Sequence, residues 1–155
     1  MSETARIRLL LRAVHKGPAW HGPSLLENLK GVTPEMAARH PIPGSHSIWE
    51  IVKHVSAWEH EVVRVLGGKE HVTMQGEDDW PPVKDTSEEA WKADLADAES
   101  AHLALRGVIK SFPEDDLEKT VPGRDFSYYV LLHGLVHHTL YHSGQIGLLK
   151  KMVTA

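Results

Sequence analysis

The sequence predicts an all-α protein, a bundle of four long helices, on three observations. Apolar residues recur at helical spacing in four separate segments, and proline, glycine and aspartate cluster between them. No alternating run is long enough to build a sheet. With 155 residues, the chain is expected to form one domain over residues 1–155 with a single active site.

The first long helix is expected from Glu3 to His15, where Ile7, Leu10, Leu11 and Val14 share a face and Lys16-Gly17-Pro18 stops it. A short helix follows from Pro23 to Leu29, and Thr33-Pro34-Glu35 opens another turn that Pro41-Ile42-Pro43-Gly44 breaks. The second long helix begins at Ser45 or Ser47. Glu50 stands in capping-box position three residues after Ser47, and Gly67-Gly68 closes the helix after Leu66. Lys69 to Asp85 is polar and reads as a long loop. Ser87 caps a third helix running to Phe112, and the fourth spans Ser127 to Met152. Four such helices suit a bundle whose cofactor sites lie between facing helices.

Composition excludes several functions. Seventeen basic against twenty-one acidic residues, with no Lys/Arg block, remove the electrostatic footprint of a nucleic-acid partner. Glu3, Arg6, Arg8 and Arg12 interrupt the leucines near the N-terminus, so neither a signal peptide nor a membrane span is expected there, and a cytoplasmic location is. Cysteine is absent while histidine occurs twelve times, which points to a metal site built from nitrogen or oxygen donors. No phosphate loop, Ser-His-Asp set or HExxH motif is present.

His138 and His142 are four residues apart, a spacing that stacks two imidazoles on one helix face. They share that face with Leu131, Leu135, Gln145 and Leu149, whereas the competing pair His133 and His137 lies a third of a turn or more away. A random pair at this spacing is more often structural, and two imidazoles hold a divalent ion poorly. His54, flanking the stripe Ile51, Val55, Trp58 and Val62, could supply the third nitrogen and leave positions open for water or substrate. Gln145 is placed to orient His142 or a bound ligand, Gly144 to allow close helix approach, and Trp58 to wall the pocket. The other tryptophans, Trp20, Trp49, Trp80 and Trp91, read as core or interface anchors. His46 and His60 read as solvent-facing, His21 as a turn residue, and His15 as a helix-terminal cation favoured by the dipole. Asp78, Asp79, Glu88 and Glu89 read as a solvated loop and a helix start.

The chain resembles the DinB/YfiT-like family of four-helix metal-binding proteins along nearly its whole length. The segments that carry the likeness are Ala19 to Ser24, His46-Ser47-Ile48-Trp49-Glu50 leading to His54 and Trp58, and above all the HxxxHxGQ run from His138 to Gln145. The resemblance implies an up-down-down-up bundle, a homodimer, and a divalent nickel, zinc or iron ion held by His54, His138 and His142. It also implies a transferase or isomerase that uses a low-molecular-weight thiol of the bacillithiol or mycothiol type on a small-molecule substrate. Ser143 stands where such proteins commonly carry arginine, which puts a specific anion contact in doubt. Metal-dependent hydrolysis is a close alternative. A stress-related binding or dimerisation module with a structural metal, or a ligand carrier with a tryptophan-lined cavity, would be non-enzymatic.

Overall fold

A computed structural model describes residues 1–154 and contains six α-helices. They are α1 (Glu3–Lys16), α2 (Leu25–Leu29), α3 (Pro34–Ala38), α4 (Ile48–Leu66), α5 (Glu88–Ser111) and α6 (Tyr128–Thr154). Four are long, and no strand occurs among the described residues beyond an isolated bridge between Thr120 and Ser127. The protein is therefore all-α. No described helix is long and apolar enough to cross a membrane.

Capping chemistry sets the helix starts. Ser2, Ser24, Thr33, Ser47 and Ser87 each accept a backbone N–H of the first turn, satisfying donors that have no partner within the helix. At Ser24 and Ser47 the box closes in both directions, through Glu27 and Glu50.

The long helices pack α4 against α5 and α6, and α1 against α5 and α6, while α2 and α3 lie on α6 and α4. Apolar burial divides into two clusters along their length. One gathers Ile7 and Leu11 of α1, Val62 of α4, Leu105 of α5 and Leu132 of α6. The other gathers Leu25 of α2, Trp49 and Val52 of α4, Trp91 of α5 and Ile146 of α6. Between the two, every long helix contributes a histidine, and α4 adds Glu59. The polar chemistry of the protein sits at this seam.

Two expectations about small contacts change. A Cβ on Gly144 would meet nothing within 4 Å, so this glycine mediates no close approach. The close approach is at Gly147, where a Cβ would lie 3.1 Å from Asn28 Oδ1. Trp20 is fully exposed rather than a core anchor, because the turn between α1 and α2 carries it away from both clusters.

Candidate metal centre

α4 presents His54 and α6 presents His138 and His142 to one another across the seam. Each offers a ring nitrogen, and the three lie within 4.8 Å of one another. His54 and His142 are buried and His138 nearly so. His133 instead pairs with Glu3 at 3.2 Å and His137 is exposed, so the two pairs of α6 face different ways.

Neighbouring acceptors fix which nitrogen His54 and His142 offer. His54 Nδ1–H donates to the backbone carbonyl of Asp79 at 2.6 Å, with the Asp79 carboxylate at 3.2 Å. His142 Nδ1–H donates to Gln145 Oε1 at 2.6 Å. Both rings therefore turn an unprotonated Nε2 inward, the arrangement in which an outer hydrogen bond orients an imidazole ligand. His54 Nε2 lies 2.8 Å from His138 Nε2, while His138 Nδ1 is buried without a partner.

Burial sets the protonation of the three. It lowers His138 to about 3, helped by the neighbouring His142 and His54. It lowers His142 to about 4 against the bond His142 donates to Gln145, and lowers His54 against the bond and charge of Asp79. All three are neutral at physiological pH, so each ring keeps one nitrogen lone pair that a metal ion could take. Three neutral imidazoles are a common donor set for a divalent transition metal, and the nitrogens bracket the roughly 3.3 Å separation of two ligands on one tetrahedral ion. The residues fit a metal.

The loop between α4 and α5 roofs the site. Trp80 stacks on His54 at 3.8 Å and carries His46 on its other face at 3.4 Å, while Trp58 donates to Asp79 Oδ1 at 2.8 Å. Asp79 is thus part of the site rather than of a solvated loop, and Trp80 roofs the site while also packing against the second apolar cluster. Two cavities border the trio. One of about 370 Å³ is reached past His138 and walled by Trp58; the other, about 400 Å³, is reached past His142 and bordered by Gln145, Trp80 and Tyr141. Ser143, buried behind His142, contacts the Asn28 side-chain amide at 3.0 Å and so faces α2 rather than either cavity.

A second polar cluster joins His15 of α1, Glu59 of α4 and His102 of α5, each at most 3 % exposed. His15 is thus no helix-terminal cation: burial lowers its pKa, it donates to Glu99 at 3.0 Å, and it stacks on His102 at 3.7 Å. His102 Nδ1 bonds Glu59 Oε1 at 3.1 Å. Burial raises Glu59 to about 7 and lowers His102 to about 4. The two rings are within 3° of parallel, so their in-plane lone pairs run side by side and do not converge on one ion. This cluster is a hydrogen-bonded core network. Glu59 gives a faint sequence signal, a carboxylate inside an otherwise apolar helix stripe.

A family model of the DinB superfamily matches residues 20–146, which include all three histidines of the candidate site. The chain belongs to the DinB superfamily. Membership in this metal-associated superfamily accords with the three inward Nε2 atoms. A search of curated proteins and one of solved structures returned no match to this chain.

Proposed function

We propose that this DinB-superfamily protein is a single-domain, up-down-down-up four-helix bundle that works as a metal-dependent transferase joining a low-molecular-weight thiol to a small electrophile. Convergence of three neutral Nε2 atoms from α4 and α6 carries the reading. His54, His138 and His142 are the ligands, and nickel, zinc or iron(II) suits an all-imidazole set. When bound, such an ion acts as a Lewis acid that lowers the pKa of a thiol or water and leaves positions open to it. The chain's own groups do the rest. Asp79 and Gln145 hold the ring orientations, while Trp58 and Trp80 exclude bulk water. Two separate cavities, one lined by His138 and the other by His142, suit two substrates, which favours transfer over hydrolysis. The absence of cysteine means that the sulfur comes with the substrate.

The reading is tested on untagged protein. Metal analysis is expected to find one divalent ion per chain, lost in His54→Ala. Assays pairing bacillithiol, mycothiol, glutathione or cysteine with aryl halide and unsaturated-acid electrophiles are expected to show thiol consumption that a chelator abolishes. Activity indifferent to chelation would overturn the reading, and turnover of esters or amides without thiol would replace transfer by hydrolysis.

A further inference from the structure

The 370 Å³ cavity has a composition that specifies its occupant. Trp58, Val62, Phe126, Leu131 and Leu135 make its walls apolar, and His138 places one end at the metal centre. Most polar groups on its lining are already committed. Trp58 Nε1–H goes to Asp79, and His71 Nδ1–H goes to the Val72 carbonyl at 2.6 Å and to Glu61 at 3.1 Å. Arg124 is different. Its Nη2 holds the Val72 carbonyl and Thr73 Oγ1, whereas its Nη1 and Nε meet no protein acceptor and no carboxylate pairs with it among the described residues. A guanidinium with unused donors beside apolar walls is matched by an anion on an apolar body. Gly134 keeps the space open, since a Cβ there would meet nothing within 4 Å.

We propose that this cavity binds a small organic acid, its aryl or alkyl body against the apolar walls and its carboxylate or sulfonate on Arg124. The acid is the electrophilic co-substrate; that role rests on the metal-dependent transfer proposed above, whereas the binding does not.

The test uses the full chain, metal-free and cobalt-loaded, with anilinonaphthalene sulfonate as fluorescent probe and 2-naphthoate and 2-naphthalenemethanol as competitors. One saturable site is expected in both forms, with the uncharged alcohol about tenfold weaker than the acid, as for loss of one charge-assisted contact. Arg124→Gln should bring the acid down to the alcohol's affinity. Gly134→Phe should abolish saturable binding while circular dichroism and cobalt uptake stay as in the parent. Equal binding of acid and alcohol, or binding unchanged in both variants, overturns the proposal. Saturation with 2-naphthoate should shift the visible bands of bound cobalt, and unshifted bands overturn the co-substrate role. Failure to take up cobalt would sink the metal reading alone, because the probe still reports the cavity.

Discussion

Gln145 would set how His142 meets an ion, because the 2.6 Å bond from His142 Nδ1–H fixes that ring's tautomer. Gln145→Leu keeps the size and removes the acceptor, so metal affinity should fall about 10- to 100-fold in a chelator-competition titration. An unchanged affinity would show that packing alone orients the ring. Glu59 governs a different property. An acid whose pKa rises to about 7 keeps its proton in the folded chain after the unfolded chain has lost it, so it removes stability as pH climbs from 4.5 to 7. His102, lowered to about 4, has the opposite slope between pH 4 and 6.5, since the unfolded chain takes up a proton that the folded chain refuses. The two slopes largely cancel in the parent. Glu59→Gln deletes one of them, so urea unfolding at pH 5 and 7 should show the variant gaining on the parent by roughly 2 to 3 kcal/mol across that interval.

Helix α6 carries two glycines with opposite roles. Gly144 faces open space, and alanine there gains helix propensity without a clash, so Gly144→Ala should stabilise by about 0.5–1 kcal/mol. Gly147 abuts Asn28, whose amide is tied to Ser143 Oγ and to the Ser143 and Pro23 carbonyls and therefore gives way poorly. Gly147→Ala should lose that gain and fall below the parent in thermal unfolding. The same helix shows what could be read from sequence. The i, i+4 spacing of His138 and His142 and their apolar neighbours placed both on the inner face, because helical periodicity is local. The capping box at Ser47 likewise set the start of α4. The roof was not legible: Asp79 and Trp80 reach His54 only when a loop closes over α4, and no periodicity describes a loop. His15 was hidden for a related reason, since burial by α5 outweighs the helix-end dipole that its position suggests.

At the scale of the whole molecule, the outer face of α6 leaves Tyr141 65 % and Leu148 57 % exposed, with Val130 and Met152 continuing the apolar stripe. A homodimer would cover it, and Tyr141→Glu with Leu148→Glu should then shift sedimentation to the monomer. Metal and protons act on the fold together. In the folded chain burial lowers His138 to about 3 and His142 to about 4, so these two stay neutral well below the 6.5 of an unfolded histidine, and burial lowers His54 in the same direction. Stability of the metal-free chain therefore declines as pH falls from 6.5, because only the unfolded chain gains those protons. An ion held there would meet no competing proton on His138 or His142 near neutral pH. Its added stability should be about 3 kcal/mol at a free concentration near 100 times Kd, and should change by no more than the roughly 1.4 kcal/mol of a single competing proton, that of His54, between pH 7.5 and 5.5. Three solvent-exposed histidines would instead each be about 90 % protonated at pH 5.5, and proton competition would weaken binding roughly a thousandfold and remove nearly all of that increment. Paired unfolding curves with and without nickel or zinc at the two pH values separate these outcomes. A collapse of the increment at pH 5.5 would mean that the imidazoles are not held neutral by burial at the seam between the two apolar clusters.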